Sequence, residues 1–375
     1  MFKSGQVKKI IFVLAVTVFS ACSKSSDKGG ETPNAFDKTA MLTNYADNLI
    51  IPGYTALQQK LQVLQTASDA FLAAPTLVTQ AALKTAYVDA QLQYERVTSF
   101  HFGPAETALL DIFSNFSGNL DYNFNTAGQL TGFSIDSVSI ESNISTGTYN
   151  LATMTRASFY SQGFPALNYL YFGPNAIAKL GTNTAARVKY VKDVLTRLKG
   201  LVDGVVTGWG AYRAEFIANT KTNVGSPIGN LVNQLAYQMD LLKGPRIGWP
   251  FGKQSNGTMF ATKVEAYFVG NSAALAVESI NALKKTYTGG GNGKGLSDYL
   301  VALNKTTLNN DVLAQFDLVS TKLSAIPDPL STSLTTQAAT VEAAYKEIQK
   351  LLTLLKTDVA SATAVQITFV DNDGD

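Results

Sequence analysis

The chain holds one His and one Cys among 375 residues, so side-chain chemistry has to rest mainly on its 28 carboxylates. A disulfide framework, a Cys/His zinc site and an iron–sulfur centre supplied by one chain are excluded. A Ser-His-Asp triad or a two-histidine iron site must be built around His101 or not at all. Oxygen-ligand metal sites survive this cut. His101 stands in Phe100–Glu106 (FHFGPAE). Gly103-Pro104 ends one helix, and Glu106 falls in the first turn of the next, where the helix dipole stabilises an acid. A His between two Phe fits a core or helix-end position as well as a ligand. Paired with Glu106 or Asp111 it could also act as the base of a relocated hydrolase site.

Two other stretches look like known loops and fail on inspection. Thr288–Gly295 (TGGGNGKG) has Thr where a phosphate loop needs its first Gly, and Gly where Ser or Thr should hold magnesium. With no strand before it, it reads as a connector between helices. The C-terminal Asp371–Asp375 (DNDGD) starts like a calcium loop but stops before the bidentate Glu. It reads as the end of an acidic tail over 367–375.

The elements that must position these residues begin after an export signal, expected over 1–21. Lys3, Lys8 and Lys9 precede an apolar run from Ile10 to Phe19. Ten residues make roughly 15 Å of helix, about half a bilayer core, so the run is a signal segment and not a span. Phe19-Ser20-Ala21 then leads into Cys22, which resembles a lipobox with Phe in place of the usual Leu. Cys22 is the expected lipid attachment site, with membrane affinity supplied by the acyl chains. Residues 22–35 are polar and Pro-bearing, as a flexible tether should be. Removing three Lys from 30 basic residues leaves 27 against 28 acidic ones. So balanced a chain has no nucleic-acid footprint.

From Phe36 onward the apolar period is helical, and the fold class expected is all-α. Leu42, Tyr45, Leu49, Tyr54, Leu57, Leu61 and Leu64 mark a first helix that Pro52 should kink or break. A second is expected over Gln80–Phe102. The clearest runs from Thr184 to Phe216, with Val188, Val191, Leu195, Leu198, Val202, Val205, Trp209, Tyr212 and Phe216 spaced by three and four. Gly200, Gly204 and Gly208 form a second stripe, expected at a close helix approach because each glycine costs about 1 kcal/mol in a helix. Further helices are expected near 226–241, 262–287, 295–303 and 307–325, and over Leu334–Val359. A strand-like excursion is expected near 130–140 (LTGFSIDSVSI). Two helical-bundle domains follow, over 36–217 and 218–366, with a cleft between them.

A family resemblance emerges from six landmarks taken in order. They are Asn48–Tyr54 (NLIIPGY), Phe102-Gly103-Pro104, Ser161–Gly173 (SQGFPALNYLYFG), Lys243–Gly252 (KGPRIGWPFG), Val264–Ser272 (VEAYFVGNS) and Gly293–Leu296 (GKGL). Together they resemble the imelysin-like proteins over Thr39–Val359. The resemblance implies an all-helical, two-domain envelope protein, of a family described as peptidases or iron-uptake components, with a cleft lined by the landmarks. It also implies that the family's Gly-x-His-x-x-Glu signature falls on Gly163–Asn168. Here Pro165 occupies the His position and Asn168 the Glu position. Pro offers no ligand and Asn no carboxylate base, so a peptidase using that pair is disabled.

The expectation is therefore a non-catalytic lipoprotein that binds a small ligand, metal, peptide or partner in the cleft, associated by resemblance with iron uptake. The residues expected to line it are Asn168, Glu106, His101, Arg246 and Glu265. Each also has a plain structural role open to it: a cap for Asn168, a surface charge for Arg246, a first-turn acid for Glu265. Iron or calcium is open as a cofactor and neither is required. The expected location is the bacterial outer membrane, with an envelope uptake partner as a further expectation.

Overall fold

Helices form where the apolar period predicts them, and their ends are set by local chemistry. The computed structural model describes residues 36–116, 123–124, 130–131, 135–291 and 293–369. The signal, Cys22, the tether and 370–375 of the acidic tail lie outside the described residues. Asp37 caps the first helix, Lys38–Asn44, through its side chain on Ala40 N at 2.8 Å. The chain then widens into a π-helical stretch, Tyr45–Ile50, before Ile51–Ala73. Pro52 thus neither breaks nor ends the helix. Its ring sits in the first turn of Ile51–Ala73, where the missing N–H is not needed. Thr76 and Thr79 form a capping box that starts Leu77–Glu95. That helix ends at Glu95, short of the expected Phe102, because the chain turns into a 3-10 segment at Thr98–Phe100.

The long helix spans Thr184–Ala218, as its period requires, and packs along Ile51–Ala73. Val191, Leu195, Leu198, Val202, Val205, Trp209 and Phe216 are buried along one seam. The glycine stripe behaves differently from expectation. A Cβ on Gly208 would meet Pro104 Cβ at 2.8 Å, a true close approach, but one on Gly200 or Gly204 would meet nothing within 4 Å.

The excursion near 130–140 is only partly strand. Asn123–Phe124 and Leu130–Thr131 pair as a two-residue antiparallel ladder. Ser137–Thr146 is a helix instead. Asp136 accepts from Ser139 N at 2.9 Å as its cap, and Ile140 and Ile144, four apart, are buried. Capping decides against the alternating pattern of SVSI.

The second group of helices comprises Pro227–Leu241, Ser272–Thr288, Leu296–Ala302, Thr306–Ser324, Leu330–Thr336 and Ala338–Thr353. The helix expected over 262–287 begins only at Ser272. Val264–Gly270 is a turn that leaves Gly270 at φ +77°. A second π-helical stretch, Leu242–Gly248, carries Pro245 inside it, and a third, Leu354–Val359, extends the last long helix. The glycine-rich connector is a structural turn. Asn44 Nδ2 donates to Gly289 O at 2.8 Å and Lys294 O at 3.0 Å, and Tyr45 donates to Thr286 O at 2.7 Å. These bonds tie the start of the chain to the second group. The buried side chains of both groups belong to one continuous apolar core. The protein is all-α apart from the short ladder.

Candidate functional site

Leu83, Tyr87, Gln91 and Glu95 recur every four residues on the buried face of Leu77–Glu95. Two apolar residues on this stripe are thus followed by two polar ones that the core must satisfy. Glu95 is fully buried and meets Arg246, which the wide Leu242–Gly248 turn projects toward it. Arg246 Nη2 donates to Glu95 Oε1, and also to Glu265 Oε1 at 3.0 Å, while Nε reaches Glu265 Oε2 at 3.0 Å. Glu265 comes from the Val264–Gly270 turn, and Asn115 Nδ2 donates to its Oε1 at 2.6 Å. Side-chain exposure is 7% for Arg246, 7% for Glu265 and 0% for Glu95, so this is a buried ion triad.

The charges shape one another. Burial pushes the Glu95 carboxyl up to about 7, against the opposing pull of Arg246. Burial alone would weaken the Arg246 cation, but the Glu265 and Glu95 carboxylates outweigh it and hold the proton more tightly than usual. Burying such a triad stabilises little by itself, while removing one partner leaves an uncompensated charge.

The signature segment forms the adjoining wall. Gly163 opens the Gly163–Phe172 helix at φ +68°, and a Cβ there would collide with Ser114 O. Pro165 falls in the first turn of that helix, where proline is tolerated, and its ring borders the cavity. Asn168 is 1% exposed and fully engaged. Its Oδ1 accepts from Phe268 N at 3.1 Å and its Nδ2 donates to the Tyr87 hydroxyl at 3.4 Å. Tyr87 in turn donates to Phe164 O at 2.9 Å. A carboxylate at 168 could only accept, so an amide suits this pair of neighbours.

Between the triad and this wall lies a small cavity, with about 20 Å³ of room. Tyr87, Phe116, Ile135 and Pro165 give it apolar walls; Gln91, Asn115, Arg246 and Lys263 give it polar ones. That room admits a single water-sized group. Of the lining residues, Gln91 Oε1, Asn115 Oδ1 and Arg246 Nη1 are buried without hydrogen-bond partners. Three such atoms in one place are far from the usual satisfaction of buried polar groups. A second and roomier cavity, about 470 Å³, lies where Pro52, Gln93 and Lys285 approach. Its Arg96 and Glu278 pair with each other at 2.6 Å, while no ion pair joins Lys285 to a carboxylate among the described residues.

Of the five residues expected from sequence, Asn168, Arg246 and Glu265 border the first cavity. His101 and Glu106 border neither. His101 is buried with its ring 5.5 Å from that of Tyr94, and both its ring nitrogens lack partners. Burial depresses its pKa, partly offset by Asp111. Glu106 is exposed on the short Pro104–Thr107 helix. Arg246 is not a surface charge, nor Glu265 a first-turn acid, because π-widening and a turn replace the expected regular helix. Sequence reasoning missed Gln91, Glu95, Asn115 and Lys263. The four-residue stripe from Leu83 to Glu95 was the available signal for the first two. As for iron or calcium, both cavity carboxylates are committed to Arg246. No group of three His, Cys, Asp or Glu able to hold a metal occurs among the described residues. The donor set here does not fit such an ion.

Comparison with known proteins follows the same geometry. The structure is similar to a candidate iron-regulated protein A precursor from Parabacteroides distasonis, at 17% identity and a TM-score of 0.70, over 91% of this chain and 97% of that one. It is also similar to an imelysin-like protein from Psychrobacter arcticum, at 16% identity and a TM-score of 0.67, over 89% and 97%. At these identities the likeness shows the fold alone. No curated protein matches the sequence. The family model described as Peptidase_M75, Imelysin, matches residues 50–357, a span that takes in the triad, the cavity and the signature segment, and the chain belongs to the imelysin family.

Proposed function

We propose that this chain is a bacterial envelope lipoprotein, anchored through Cys22, that binds a small ligand, peptide or partner in the cavity beside Arg246 without catalysing a reaction. One observation carries the reading. At the positions where the resembling family keeps a His and a Glu, Pro165 and Asn168 border a cavity ringed by unmet buried polar atoms. Pro165 has no proton to move, and both polar atoms of Asn168 are already bonded. The mixed apolar and polar lining is of the kind that recognises ligands.

Association with iron uptake is part of the proposal and rests on the iron-regulated description of a structural neighbour. The hydrolase reading, with His101 and Glu106 or Asp111, has less support, since His101 borders neither cavity described above and neither ring nitrogen bonds a carboxylate among the described residues. The test is thermal stabilisation of the purified chain against iron, calcium, zinc, haem, short peptides and small polar metabolites. A ligand at a hundredfold excess over its Kd stabilises by about 2.7 kcal/mol, and Gln91→Leu should remove the shift. No shift with any of them, or peptide cleavage lost in His101→Ala, would overturn the reading. Expression unchanged by iron starvation would remove its iron component.

A further inference from the structure

The roomier cavity, about 470 Å³, is built where three stretches of helix converge. Glu278, Asn281 and Lys285 stand three and four apart on the Ser272–Thr288 helix, so they share one face. Arg96 follows the end of Leu77–Glu95, and Leu49, Pro52 and Ala56 come from Tyr45–Ile50 and the start of Ile51–Ala73. The small side chains of Ala56 and Ala282 leave room between them. Small-molecule sites commonly run from about 300 to 1,000 Å³.

The charges here do not cancel. Arg96 and Glu278 neutralise each other at one end. Lys285 lies seven residues beyond Glu278, roughly 10 Å along the helix. No ion pair joins it to a carboxylate among the described residues. Its stem runs beside Gly290 and Leu49: a Cβ on Gly290 would meet Lys285 Cε at 3.4 Å and Leu49 Cδ1 at 3.6 Å. One turn away, Ser320 Oγ donates to Asn281 Oδ1 at 2.9 Å, which leaves the amide nitrogen as a donor. An ammonium and an amide N–H four residues apart on one helix face suit the two oxygens of a carboxylate. The surplus is one positive charge, which a carboxylate matches and a phosphate monoester, at about −1.5 to −2, exceeds. Leu49, Pro52 and Phe100 supply an apolar wall.

We propose that this cavity binds a monocarboxylate with an apolar body, the carboxylate on Lys285 and Asn281 and the body against Leu49, Pro52 and Phe100. The site is separate from the cavity beside Arg246 and does not depend on it.

Calorimetric titration of the full purified chain at low salt tests it, with 3-phenylpropionate and octanoate as probes of aromatic and aliphatic body. 3-Phenylpropionamide lacks the charge, propionate lacks the body, and phenyl phosphate carries the second charge. At least one probe should bind saturably at millimolar concentration, and the three controls at least tenfold more weakly. Lys285→Met, at an exposed position, should weaken binding at least tenfold while leaving the melting temperature of the free protein unchanged. Ala56→Leu should do the same by filling the room with every charge in place. Equal binding by either variant would overturn the proposal. So would no saturable binding of either probe, or an affinity for the amide or for phenyl phosphate that equals theirs. Gln91→Leu, in the other cavity, should leave binding unchanged; loss of binding there would move the ligand beside Arg246 and overturn the assignment as well.

Discussion

Glu95 concentrates the physics of the site. It is a carboxyl with no exposed surface, facing one Arg shared with a second carboxyl. Its folded-state pKa is raised from 4.5 to about 7, so between these values the folded chain keeps a proton that the unfolded chain releases. The favourable contribution is fully present below about pH 4.5, shrinks as pH rises, and is gone above about pH 7. At 1.4 kcal/mol per unit the loss amounts to about 3 kcal/mol. Glu95→Gln keeps an uncharged side chain of the same shape and removes that titration. Denaturant midpoints measured from pH 4 to pH 8 should therefore fall more steeply for the native chain than for the variant. Parallel curves would mean that Glu95 is ionised throughout. The same residue shows why the site was only half legible. Arg246 and Glu265 were found because they sit in landmark segments, whereas Gln91 lies within a helix and Glu95 at its end, where a polar residue ordinarily faces water. Their burial follows from what packs over them.

At the scale of elements, widened turns and glycines do most of the positioning. Arg246 reaches Glu95 from within a π-helical stretch that also houses Pro245, and such stretches tend to occur at functional sites. The long helix offers a cleaner test of sequence reasoning. Its apolar seam fixed both its length and its buried face. Its glycine stripe suggested a close approach that occurs only at Gly208, against Pro104. Gly200 and Gly204 sit in open space, so alanine there should gain helix propensity at no steric cost. Gly200→Ala and Gly204→Ala should each stabilise by up to about 1 kcal/mol. Gly208→Ala should destabilise, because its Cβ would stand 2.8 Å from Pro104 Cβ. Urea unfolding of the three variants reads the signs directly. Destabilisation by Gly200→Ala or Gly204→Ala would indicate that something packs on that face in solution.

For the whole molecule, the Cys22 anchor is the proposal that decides where the cavity works. Cys22→Ser should move the protein from the membrane fraction to the soluble fraction of the envelope and abolish labelling with a fatty-acid probe. Unchanged fractionation would rule out the anchor. No helix among the described residues is long and apolar enough to cross a membrane. The sequence by itself determined the all-α class, most helix positions and the family, because apolar periodicity and the order of short landmarks are local properties of the chain. The resemblance also implies that Pro165 and Asn168 stand where the family keeps its signature pair. Tertiary structure decided which polar residues meet. Glu95, Arg246 and Glu265 are separated by up to 170 positions, and no local rule joins them. Their pairing depends on a helix end, a π-widened turn and a connecting loop closing on one point, where Arg246 is the counter-charge of both carboxylates. His101 and Glu106, adjacent in sequence to the same landmarks, were sent elsewhere by the same packing.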